Sequence, residues 1–251
     1  MSTTLAFLGD FADAIDFIFR ERESREGTSV GGGQFLELTW EHLKLSAAAM
    51  AVACAAAIPL GLWLGHIGKG GFLAINASNV GRAVPSLALI AFFVAYLGVG
   101  FTNLTLALVL LAIPPILTNT YVGVRQVDRD AVDAARGMGM AGRQVVRRVE
   151  LPMALPLIFG GVRTSTVNVV ATATIAPLAG VNTLGDPIIN VSTYGDDGRL
   201  GAAIVVAALA VLTELTLGAV QRAVTPEGLK LESDQPSRRR FRTAKRREAT
   251  A

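Results

Sequence analysis

Few side chains in this 251-residue sequence are equipped for covalent or metal chemistry. The one cysteine, Cys54, stands in an Ala-rich apolar run, MAVACAAA. A lone thiol there closes no disulfide within the chain and reads as a small buried residue. The two histidines, His42 and His66, flank an apolar stretch with no acidic cluster nearby, so they read as boundary residues and not as metal ligands. No segment matches the phosphate-cradling pattern G-x-x-x-x-G-K-[ST], so ATP hydrolysis is not expected of this chain, and no cofactor is expected. Two isolated charges, Arg163 and Glu214, stand deep in apolar runs. Such charges are costly there and usually pair or face a water-filled path.

The elements that must position these residues are membrane helices. The chain is 51% hydrophobic, and its charged fraction of 17% falls below the roughly 25% of soluble domains. Its mean hydropathy is +0.48. Charges collect at 10–44, 123–150 and 222–251, with long apolar stretches between. A spanning helix needs about 20 mostly apolar residues. Five stretches qualify, at 43–65, 72–97, 102–122, 153–177 and 199–221. The second is interrupted near Arg82–Pro85 and the third holds Pro114-Pro115, both tolerated in spanning helices. Residues 1–20 carry Asp10, Asp13 and Asp16 in an apolar pattern. No secretory signal is evident there, and the pattern predicts an amphipathic helix on the membrane surface or against the spans. Gly27–Gly33 reads as a flexible linker. The expected organisation is therefore an N-terminal segment and linker (1–40), a transmembrane domain (41–224) and a basic, disordered tail (225–251).

Lys and Arg in short loops set orientation. Segment 123–150 holds six arginines and the tail a dense basic run, RRRFRTAKRRE, while 98–103 and 178–198 hold neither Lys nor Arg. One topology satisfies this: N-terminus outside, C-terminus cytoplasmic, and loops 66–71 and 123–150 cytoplasmic. The tail then reads as an anchor to acidic membrane lipid, with no nucleic-acid role.

Residues 133–152 read DAARGMGMAGRQVVRRVELP. Acids sit early (Asp128, Asp130, Asp133) and arginines late (Arg143, Arg147, Arg148), an order that suits the helix dipole. Gly137, Gly139 and Gly142 break one long helix into a short helix, a glycine turn and a second short helix leading to Pro152. The spacing is acid-Ala-Ala, three residues, Gly, nine residues, an aliphatic, one residue, Leu-Pro: Asp133, Ala134, Ala135, Gly139, Val149, Leu151 and Pro152. This resembles the coupling motif of ABC importer permeases, with Asp133 where the family usually has Glu. The segments HLKLS (42–46), AVPSLAL (83–89), LPMALPLIFGGVRTSTV (151–167) and LGDPI (184–188) look like the osmoprotectant permeases for glycine betaine, choline, carnitine or proline betaine.

The resemblance implies an all-α integral membrane protein of the type I ABC importer permease fold, with about five transmembrane helices and a cytoplasmic coupling helix. It also implies a bacterial plasma-membrane location and several partners: a cytoplasmic ABC ATPase dimer that binds the ATP, a second permease copy, and an extracytoplasmic substrate-binding protein. Within that frame Arg163 and Glu214, each ~12–16 Å deep along its helix, are expected to pair, the alternative being that each faces the aqueous path. Pro85, Asn119, Tyr121 and Asn168 are expected to line the pathway or join helices. Phe92, Phe93, Tyr96 and Phe101 read as the outer aromatic belt in preference to a substrate cage. Rival readings are a permease for methionine or another amino acid, a secondary carrier without an ATPase, and a membrane-embedded enzyme. The last would need His or acids clustered at membrane depth.

Overall fold

The computed structural model describes residues 2–24, 27–72, 76, 81 and 83–225. Helix α1 (Ser2–Phe19) is followed by a hairpin of β1 (Glu21–Glu23) and β2 (Ser29–Gly31). Helix α2 (Gly33–Ile67) comes next, then α3 (Ser86–Leu97) and α4 (Phe101–Arg125). Two short helices, α5 (Arg129–Gly137) and α6 (Gly142–Val145), lead through a π-helical segment, Val146–Glu150, into α7 (Leu151–Thr172). A 3₁₀ segment (Ala173–Ala179), α8 (Gly185–Ile189) and the long α9 (Val191–Val224) complete the chain, α9 being broken at Gly195 (φ 71°). Among the described residues four helical stretches are long and apolar enough to cross a membrane: 33–67, 101–125, 142–179 and 191–224. Of the expected span 72–97, the 12-residue apolar helix α3 is described; Arg82 and most of 73–80 lie outside the described residues, as does the tail beyond Thr225.

The core follows a helical period. On α2, Phe35, Leu38, His42, Leu45, Ala49, Ala53 and Ala57 are all buried and fall three or four residues apart. The stripe continues through Gly61 and Gly65, which nest against α4. A Cβ on Gly61 would stand 2.7 Å from Cβ of Thr120, and one on Gly65 2.6 Å from Cβ of Val124. Small residues four apart let backbones approach where lipid supplies no hydrophobic drive between helices. Helix α7 packs on α4 in the same way: a Cβ on Gly161 would stand 2.8 Å from the Pro115 carbonyl oxygen, and Ser165 Oγ donates to the Ala112 carbonyl at 2.8 Å.

Two expectations need correction. Residues 27–33 are not a flexible linker: β2 pairs antiparallel with β1, and Val30 packs with Phe17, Phe35, Leu184 and Tyr194. Left-handed Gly31 (φ 88°) makes the turn, against the Arg20 carbonyl oxygen, 2.5 Å from where a Cβ would stand. His42 is not a boundary residue either. Helix α2 begins at Gly33, ten residues before the expected span, so His42 falls on the buried stripe, where its Nε2–H donates to the Val170 carbonyl at 2.9 Å. Helix α1 lies against α9, with Ala14 and Phe17 buried and seated over Gly198 and Gly201. Arg22 bridges Asp16 and Asp197 at 3.0 Å each; its hydrogen bond to Asp16 chiefly, and that to Asp197, raise the guanidinium pKa.

Candidate functional site

The segment 127–153 folds as a helix, a glycine turn and a second helix. Asp128 caps α5 by accepting from the Asp130 N–H at 2.9 Å, which satisfies one of the free donors of a helix start. Val132 and Ala135 turn inward to pack with Val127 and Val145, and Met140, Val149 and Met153 close the cluster. The opposite face of α5 carries Asp133 and Ala134, both exposed, with the Asp133 carboxylate 4.0 Å from Arg136. Gly139 (φ 83°) makes the left-handed turn, and Met138 projects beside it, 73% exposed. The second helix is fixed by Gln144, whose Oε1 accepts from the Ala141 N–H at 2.8 Å. Arg143, Gln144, Arg147 and Arg148 then form an exposed basic face. Leu151 and Pro152 open α7, where proline's missing N–H costs nothing. The result is an elbow that exposes Ala134, Gly137 and Gly139 beside Met138, small residues that permit close backbone approach.

Five of the seven motif residues sit on or beside this elbow; Leu151 and Pro152 join it to the bundle. Deeper, Arg163 Nη2 donates to Glu214 Oε1, joining α7 to α9 above Gly218. Gln221 Nε2 adds a donation to the Pro156 carbonyl at 2.9 Å. The four expected pathway residues are not brought together. Pro85 caps α3 and is exposed; Asn119 donates to the Pro115 carbonyl of its own helix at 2.8 Å. Tyr121 is buried, its hydroxyl 2.5 Å from where a Cβ on Gly71 would stand, while Asn168 is exposed on α7. Phe92 and Tyr96 stack with ring centres 4.6 Å apart and are 56% and 75% exposed, facing outward as a belt would.

Two groupings escape a linear reading. His66 Nδ1 donates to Glu150 Oε2 at 2.8 Å across 84 residues, and Glu150 is buried. The acid next to Leu-Pro was the available signal, but its partner could not be chosen from sequence. At the other end of the bundle, Asp186 accepts from the Tyr194 hydroxyl at 2.8 Å and from Asn190, while Gln34 donates to the Tyr194 oxygen at 3.1 Å. This network ties α2, α8 and α9 together. Gly185 in LGDPI permits it: a Cβ there would stand 1.7 Å from the Thr174 carbonyl oxygen.

A family model described as binding-protein-dependent transport system inner membrane component matches residues 57–227. The glycine betaine/carnitine/choline transport system permease protein OpuCB of Bacillus subtilis (strain 168) is 39% identical over 199 residues, covering 79% of this chain and 92% of that protein. The carnitine transport permease protein OpuCB of Listeria monocytogenes is 38% identical over 219 residues, 87% of this chain and 96% of its own length. Among solved structures, an inward-facing form of the MetNI methionine ABC transporter matches at a TM-score of 0.65 and 21% identity, covering 76% of this chain and 96% of that one. The helical order is thus that of the type I ABC importer permeases. With a family model spanning most of the bundle and relatives near two-fifths identity across most of the chain, this protein belongs to the inner-membrane components of binding-protein-dependent transport systems, a family of transport permeases.

Proposed function

We propose that this chain is the permease subunit of an ATP-driven importer for quaternary-amine osmoprotectants such as glycine betaine, carnitine or choline. The observation that carries the cargo is the 38–39% identity, over most of the chain, to relatives named for those solutes. Likeness to the methionine transporter is one of fold at 21% identity. Two permease copies would sit on two cytoplasmic ATPases, with the elbow at Asp133, Ala134, Ala135 and Gly139 seated in an ATPase cleft. A binding protein would deliver solute to the opposite face.

Several features support this arrangement. The exposed small residues of α5 and the turn permit close approach, and Met138 supplies an apolar knob. The loop's arginines and the end of α2 lie at one end of the bundle, joined by His66–Glu150. The Lys/Arg-free loops lie together at the other, where the Gly100 N–H donates to the Ala179 carbonyl at 2.9 Å. By the charge rule, the first end faces the cytoplasm. Closure of the ATPases would move the elbow, and the packed pairs α2–α4 and α4–α7 would tilt with it as rigid bodies.

The test is uptake of labelled glycine betaine by uptake-deficient cells that express the permease with its ATPase and binding protein. Saturable uptake competed by choline or carnitine, and untouched by methionine, is expected. Methionine uptake without betaine uptake would transfer the reading to the amino-acid permeases. Betaine uptake that persists without the ATPase would indicate a gradient-driven carrier.

A further inference from the structure

His66 and Glu150 form a contact that docking does not require. Glu150 ends the π-helical segment Val146–Glu150, and its side chain is 2% exposed. Among the described residues His66 is the one side chain that hydrogen-bonds it. Burying a carboxylate is expensive unless it is partnered, so this acid depends on the imidazole. His66 lies in the last turn of α2, which Gly68 closes in a left-handed cap. The same ring also touches the other end of the segment: a Cβ on Gly142 would stand 3.3 Å from His66 Nε2. One side chain from the first span therefore hydrogen-bonds the residue just before α7 and lies beside Gly142 at the start of α6.

The backbone between those two points is the irregular part of the connection. A π turn inserts a residue into the helical ladder and is frequent at functional sites. Here it turns Glu150 inward while Arg147 and Arg148 stay exposed. The elbow cluster of Val132, Ala135 and Val145 reaches across this turn, because Val149 within it and Met153 on α7 pack against the same cluster.

We propose that the His66–Glu150 pair is the coupling link of this subunit, transmitting displacement of the elbow to α2, so that both residues are positioning residues for transport and not docking contacts. This rests on the ATP-driven reading above. Without the pair, the elbow still engages the ATPase and still bears on α7 through Val149 and Met153, but α2 does not follow its motion.

The test uses the complete complex, with ATPase and binding protein, in proteoliposomes, and reads glycine betaine taken up per ATP hydrolysed. His66→Ala, Glu150→Ala and the double variant are compared with the unmodified complex. Hydrolysis is expected to hold within about twofold while uptake per ATP falls roughly fivefold or more, as for loss of a typical coupling between sites. The double variant should be no worse than either single one. His66→Asn, which keeps an N–H donor near the position of Nδ1, should restore the ratio. If uptake and hydrolysis fall in proportion, or the ratio stays unchanged, the link is overturned and the pair merely holds the fold. Should Glu150→Ala fail to assemble, Glu150→Met reads the same ratio with most of the side chain's volume kept and the acceptor removed. Failure of the unmodified complex to take up betaine on ATP would contradict the proposed function instead, so the two failures are distinct.

Discussion

Gly61 and Gly65 let α2 and α4 touch, and the neighbours they face are β-branched side chains and backbone, which cannot swing away. Gly61→Val is therefore expected to destabilise the protein by about 1–3 kcal/mol through overpacking, seen as a lower thermal unfolding midpoint in detergent. An unchanged midpoint would show that the helices separate freely. The Arg163–Glu214 contact makes a different prediction: either charge alone lowers the folded amount in the membrane, and exchange of the two (Arg163→Glu with Glu214→Arg) recovers it, read by fluorescence-detected size exclusion. This contact was legible in sequence because both residues lie at like depth from the same end of neighbouring spans. His42 was not, because the polar residues Glu37, Glu41 and Lys44 concealed the true start of α2. They face outward, with Lys44 and Glu41 paired at 2.7 Å, while the buried stripe runs on beneath them. His66–Glu150 was illegible for another reason: a π turn shifts the register on which any helical pattern is read.

At the scale of elements, the elbow and the N-terminal hairpin contrast. The alternation of acids, glycines and arginines was enough to place a short helix and a glycine turn over 128–142, since capping and glycine chemistry are local, but the second helix is not short and runs on into the span over 142–179. The elbow's turn depends on Gly139 at φ 83°. Gly139→Val is expected to abolish ATP-driven uptake while the permease still reaches the membrane in normal amount, checked by uptake and by quantitative blotting of the same membranes. Loss of the protein from the membrane would mean instead that the elbow is needed for folding. The hairpin was misread because glycine-rich composition looks alike in a linker and in a tight turn, and only Val30 and Phe35 betray the burial. Arg20 and Arg22 sit beside that turn. Gly31→Ala, strained by roughly 1–2 kcal/mol in the left-handed region, should make cleavage by trypsin at those arginines faster. Equal cleavage rates would show that the hairpin does not restrain this segment.

For the whole molecule, the decisive pattern is the difference in Lys and Arg content between the loops at the two ends of one bundle. Arg143, Arg147 and Arg148 gather at the end that holds His66, while Asp186, Asp196 and Asp197 gather at the end that holds α1. Counting arginines in loops anticipated this, because lipid forces charged loops to the surfaces and leaves two ends to choose between. The close packing between spans was not anticipated, because it depends on which glycine meets which neighbour across the bundle. Cross-linking then tests the central claim most directly. In a chain with Cys54 replaced by Ser, a single cysteine is placed at Met138 on the elbow or at Tyr96 on the opposite end, both about three-quarters exposed. Treated with a short thiol–amine cross-linker in the assembled complex, Met138→Cys should yield a permease–ATPase adduct and Tyr96→Cys none. An adduct from Tyr96→Cys, or none from Met138→Cys, would contradict the account.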